Sequence, residues 1–120
     1  MAFQVTAQNH KLTIHFEGMD SDRGHVLVRI VDADEKEVGG HSVRIKNGEA
    51  TLDVSLASGQ YAVSAFHDAN DNKKLDTNWM GIPNEKYGFS NNARGTFGPP
   101  ALKDQLISLT QDKRISITLK

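Results

Sequence analysis

Asp68, Asn70, Asn72 and Asp76 set oxygen-bearing side chains at positions one, three, five and nine of a short run. Hard cations such as Ca2+ need several oxygen ligands, and a compact loop with this spacing supplies them. Position seven is Lys74, whose backbone carbonyl can add a further ligand. The spacing matches the first part of an EF-hand-type loop. It departs from that pattern twice: position six is Lys73 rather than Gly, and position twelve is Trp79 rather than a bidentate Glu. The expectation is a shortened Ca2+ loop, completed by water or by a later Asn. Two carboxylates and two amides suit an affinity of about 10^-4 to 10^-3 M, as in extracellular modules. The same residues also form Asx-turns without any ion, and the spacing leaves both readings open.

The chain runs on through Thr77–Pro100, which holds all of its prolines and, among Asn and Gly, the rings Trp79, Tyr87, Phe89 and Phe97. Aromatic faces with amide donors and acceptors suit a glycan, and the rings alone suit a small apolar ligand. Tyr87, Phe89, Asn91, Asn92 and Arg94 are the candidate ligand-binding residues, with Arg94 offering a planar fork for an anion. A loop this long also needs packing of its own, and Trp79 is the expected anchor.

Catalytic readings find less support. None of the five histidines forms an HExxH pair or another close metal-ligand spacing. His67 stands beside Asp68, and a His67, Asp76 and Ser90 set can be written, but no GxSxG elbow accompanies it. The alternatives to a non-catalytic binding or accessory module are therefore a small hydrolase-like periplasmic enzyme using His67 with Asp68 or Asp76, and a purely structural envelope module.

The elements that must position these residues are strands. Leu12, Ile14 and Phe16 alternate with polar neighbours, as do Leu52, Val54 and Leu56, and Ile115, Ile117 and Leu119. His25–Val31 is apolar on both faces near its centre, which suits a central strand. Val43 and Ile45, Tyr61–His67 and Leu106–Leu109 supply further strands. Turn signals fall at Asp20–Gly24, Asp32–Gly40, Asn47-Gly48 and Ser58-Gly59, with Asn47-Gly48, between two alternating runs, a strong hairpin signal. About seven short strands at this spacing predict an all-β, antiparallel sandwich of immunoglobulin or prealbumin-like type. Tyr61, just after a tight turn, reads as a tyrosine corner. Residues 68–103 form one long ordered loop between sandwich strands, in a single domain over 1–120.

Composition narrows the partners. A net charge of -1 with scattered basic residues argues against nucleic acid. No apolar run is long enough to span a membrane. The absence of Cys excludes a disulfide framework and a Cys metal site. The chain enters strand-like sequence almost at once, at Phe3–Ala7, as expected of a mature form whose signal peptide has been cut.

The stretch HDANDNKKLDTNWMGIPNEKYGFSNNARGTFGPP, His67–Pro100, resembles the signature segment of the bacterial domain-of-unknown-function 2141 family. The likeness extends from the Gly24–Asp32 strand through Ser58-Gly59-Gln60-Tyr61 to the final strand. It implies a small exported β-sandwich protein of Gram-negative bacteria, periplasmic or extracellular, with an envelope protein among its possible partners. In the family the cation-like loop more often carries Asn-Gly after its first oxygens, where this chain has Asn72-Lys73.

Overall fold

A computed structural model describes residues 8–74, 85–95 and 98–120. Among the described residues, eight strands form two sheets. In chain order they are β1 (Asn9–Glu17), β2 (His25–Asp32), β3 (Glu37–Arg44), β4 (Glu49–Ala57), β5 (Gly59–Asp68), β6 (Tyr87–Phe89), β7 (Ile107–Leu109) and β8 (Lys113–Thr118). A 3-10 turn at Ser90–Asn92 follows β6, and a one-turn helix α1 (Leu102–Gln105) precedes β7. The first sheet has the order β4-β1-β8, and the second runs β3-β2-β5-β6 with β7 also paired to β5. Among the described residues, no helix is long and apolar enough to cross a membrane.

Alternation does what the sequence implies. Leu12, Ile14, Phe16, Val28, Ile30, Val54, Val63 and Ile117 are buried between the sheets. Leu52 and Ile115, also expected inside, are partly buried and pack against that core. β2 is central, between β3 and β5, with Val26, Val28 and Ile30 buried on one face and Leu27 and Val31 partly buried on the other. Tyr61 closes a corner, its hydroxyl donating to the Ala57 carbonyl at 2.6 Å. Burial, aided by the Asp32 carboxylate, pushes the Tyr61 hydroxyl's pKa up, so it stays a donor.

Four features differ from the expectation. First, β1 and β8 pair in parallel, while the other strand pairs are antiparallel. Second, Asn47-Gly48 does make a tight turn, with φ of 55° and 75° and Lys46 bridged to Glu49, as a type I′ turn requires. Its strands then part, β3 into one sheet and β4 into the other. Third, the turn signal through Gly40 gives way at Glu37, where β3 begins; β2 and β3 absorb the change with a register shift at Ile30/Val31. Fourth, the excursion after β5 is not one loop, because it returns as β6.

β6 and β7 share the far edge of β5. Phe89 pairs with Ser64 and Tyr87 with Phe66, while Ile107 pairs with Tyr61 and Leu109 with Gly59. The gap between them spans Ala62 and Val63. There the fully buried Ser90 substitutes for a strand, accepting the Val63 N–H at 2.9 Å and donating to the Gln105 carbonyl at 2.5 Å. The chain's end then joins the sheets: Lys120 and Tyr87 exchange two backbone bonds, while the Leu119 N–H donates to Glu17. Gly88 permits this approach, since a Cβ there would lie 2.8 Å from the Thr118 carbonyl oxygen.

Replacing Ser90 by Ala strands the buried Val63 N–H. An unsatisfied buried donor costs about 1–3 kcal/mol, so Ser90→Ala should lower the urea-unfolding free energy by that amount. The exposed Ser108→Ala serves as control and should stay within about 0.5 kcal/mol of wild type. Equal behaviour of the two variants would show that Ser90 does not fill the gap.

Candidate functional site

β5 carries its residues to opposite faces in turn. His67 faces inward, 4 % exposed, with Nε2 2.7 Å from the Arg23 carbonyl, so it donates there. Asp68, its neighbour, is fully buried on the other face. Its two oxygens accept the Asn72 N–H at 3.3 Å and the Lys73 N–H at 2.9 Å. His67 and Asp68 are therefore not brought together. Ser90 is committed to Val63 and Gln105, and Asp76 lies outside the described residues.

The loop after β5 is a set of nested Asx-turns. Asn70 Oδ1 accepts the Asn72 N–H at 3.2 Å, and Asn72 Oδ1 accepts the Lys74 N–H at 2.9 Å. Lys73 and Asp71 take positive φ, so the backbone makes the sharp turn that Gly was expected to provide. Glu85 also reaches this loop, accepting the Ala69 N–H at 3.1 Å. Sequence reasoning missed Glu85, although it is the single carboxylate in Thr77–Pro100. Among the described residues no group of three His, Cys, Asp or Glu side chains converges.

The loop is tied to its surroundings by charge. His25 Nδ1 lies 2.8 Å from Asp71 Oδ1. That hydrogen bond, the largest effect, holds the Asp71 carboxyl below its ordinary range against the opposing effect of desolvation, and the charges of His25 and Lys73 add smaller pulls in the same downward direction. Lys86, one residue before β6, donates to Asp20 at 2.7 Å and to the Gly18 carbonyl at 2.9 Å.

The second feature is the outer face of the larger sheet. Register aligns Ser42, Leu27, Phe66 and Tyr87 in one row across the strands, and Gly40, Arg29, Ser64 and Phe89 in the next. Ser64 is short among larger neighbours, and a depression forms over it. Leu27, Ser64, Phe66, Tyr87, Phe89 and Pro99 line a cavity of about 460 Å³, within the usual range for small-molecule sites. The Tyr87 and Phe89 rings meet edge to face, 5.8 Å between centroids. The Arg94 guanidinium lies 4.8 Å from the Tyr87 ring centre and donates to the Tyr87 carbonyl at 2.7 Å.

Of the five candidate ligand-binding residues, Tyr87 and Phe89 line this cavity and Arg94 braces it from behind Tyr87. Asn91 and Asn92 give their amides to backbone. Asn91 Nδ2 donates to the Asp104 and Leu106 carbonyls, and Asn92 Oδ1 accepts the Thr118 N–H. Leu27 and Phe66 escaped the sequence reading as site residues; the two-faced apolar centre of β2 was the signal for Leu27, and the Tyr61–His67 run that became β5 held Phe66. Trp79 and Phe97 lie outside the described residues.

A family model described as "Uncharacterized protein conserved in bacteria (DUF2141)" matches residues 14–118. The chain belongs to the DUF2141 family. The match takes in both sheets, the Asx-turn loop and the cavity-lining strands of this DUF2141 domain. Among solved structures, the crystal structure of a fimbrial assembly protein from Parabacteroides distasonis is similar at 10% identity and a TM-score of 0.47. The similarity covers 93% of this chain and 51% of that one, so the chain spans about half that protein's length. No curated protein matches.

A carboxylate whose folded pKa lies below its unfolded one stabilises fully above the unfolded value and loses that contribution as pH falls through the folded value. Amide exchange in Ala69–Lys74 should therefore accelerate relative to β1 as pH drops below about 4, the ordinary Asp range. In Asp71→Asn that acid-dependent step should vanish. An identical pH profile in the two proteins would mean the His25 bond does not hold the loop.

Proposed function

We propose that this chain is an exported, non-catalytic binding module whose ligand lies on the outer face of the β3-β2-β5-β6 sheet. The observation that carries this reading is the cavity floored by Leu27, Phe66, Tyr87 and Phe89. An apolar hollow with few polar groups at its margin is the usual form of a small-molecule site. A small apolar ligand suits it better than a glycan, because the Asn91 and Asn92 amides are already bonded to backbone. An envelope protein presenting an apolar side chain fits the same hollow. Export, to the periplasm or beyond, is what the family resemblance implies.

Ca2+ at the Asp68, Asn70, Asn72, Lys74 and Asp76 loop is the second part of the proposal, as a structural ion that fixes where the excursion leaves β5. In its support, the first three side chains share one tight turn, and each Asp68 oxygen keeps a second lone pair beyond its N–H bond. Glu85, beside Ala69, is a candidate for the acidic ligand that Trp79 cannot supply at position twelve.

Two measurements test this. The neutral dye Nile red should brighten with wild-type protein, and about tenfold less with Tyr87→Ala or Phe89→Ala, both folded. Dye enhancement that ignores both variants would move the ligand elsewhere and favour a purely structural excursion. Separately, Ca2+ at one hundred times its dissociation constant should add about 2.7 kcal/mol of stability, with a smaller gain in Glu85→Gln. A thermal midpoint indifferent to both Ca2+ and chelator would reduce the loop to a turn.

A further inference from the structure

The hollow over Ser64 continues along the sheet. A second depression, of about 290 Å³, shares Arg29, Ser64, Phe89 and Pro99 with the first. It extends over Ala62 toward Gln105 and Glu35. Together they make one trough along the outer face of β5, and from Phe66 to Ala62 a strand rises about 13 Å.

Charge along this trough is uneven. Among the described residues, Arg29 is the one charged side chain lining the larger, apolar half, and it stands where the two halves join. Its row neighbours are Gly40 and Ser64, too short to cover it. Its one ion pair is slack: Nε lies 4.0 Å from Glu37 Oε1, with the side chains 61% and 57% exposed. Exposed pairs of this kind contribute little, so a ligand can displace Glu37 at small cost. A guanidinium offers two parallel donors that match a carboxylate. Glu35, at the far end, repels an anion placed there, which fixes the direction of an asymmetric ligand.

We infer that the trough binds a linear amphipathic carboxylate, with the carboxylate on Arg29 and the alkyl chain over Leu27, Phe66 and Tyr87. This rests on the reading of the outer face as a ligand site and adds the ligand's class and orientation. An apolar hollow with a single cation favours an apolar anion over a neutral chain of equal length, and favours either over a cation.

Isothermal titration with decanoate and decyltrimethylammonium below their micelle concentrations, and with decanol below its solubility limit, tests this on wild type, Arg29→Gln and Ser64→Trp. Thermal unfolding confirms that the variants fold; Arg29 and Ser64 both point out of the core. Decanoate should bind wild type about tenfold more tightly than decanol, as one charge-assisted contact implies, and the cation more weakly than either. Arg29→Gln should bring decanoate down to the level of decanol and leave decanol unchanged. Ser64→Trp, which fills the floor, should abolish both. If decanoate and decanol bind alike, or Arg29→Gln leaves decanoate unaffected, the carboxylate inference fails while the apolar site stands. If neither chain binds wild type, or both bind Ser64→Trp normally, the inference and the site reading fail together.

Discussion

Everything distinctive in this molecule follows from the far edge of β5. That edge is buried between the sandwich and the excursion, so its N–H and C=O groups need partners. No single strand supplies them. β6 covers one half, β7 the other, and between them the Ser90 hydroxyl accepts the Val63 N–H. The excursion is therefore anchored at two places on β5, and Gly88 allows the chain's end to clamp it from the other sheet. The Asn91 and Asn92 side chains serve the same end, bonding carbonyls before β7 and an N–H of β8.

The outer face inherits its character from that arrangement. β6 brings Tyr87 and Phe89 beside Phe66 and Leu27, and the short Ser64 between them leaves room. Solvent-facing positions of an antiparallel sheet are commonly polar. The opposite sheet obeys that rule, with Thr13 bonded to Asp53 and His15 close to Thr51 and Glu49 on its outer side. The larger sheet differs in carrying Leu27, Phe66, Tyr87 and Phe89 around a hollow on its outer side. The bonds of Asn91, Asn92 and Arg94 fix the backbone around Tyr87 and Phe89, whose rings line the cavity, and a preformed hollow lowers the ordering cost for any ligand.

Much of this was legible in the sequence, and the reasons are local. Period-two alternation gave the core of β1, β2, β4 and β8. Asn47-Gly48 gave its turn because both residues tolerate positive φ. The same alternation separates His67 from Asp68, since adjacent strand residues cannot share a face. β6 was not legible: three residues, Tyr87-Gly88-Phe89, set among Asn and Gly, carry no periodicity. The parallel pairing of β1 with β8 joins residues about a hundred positions apart, and no turn between them announces it. The excursion's polar side chains misled for a different reason. Asn and Arg read alike from sequence whether they meet a ligand or a carbonyl, and register across the sheets decided the matter for Asn91 and Asn92.

On the proposed reading the β2-β5-β6 outer face, and not the polar face opposite, receives the ligand. The most direct measurement is the set of intermolecular nuclear Overhauser effects between 13C-labelled decanoate and the protein. Contacts should run from the alkyl chain to the Leu27 methyls and the Phe66, Tyr87 and Phe89 rings, with none to Thr13, His15 or Thr51. Contacts to the β4-β1-β8 face, or contacts spread evenly over both faces, would contradict it.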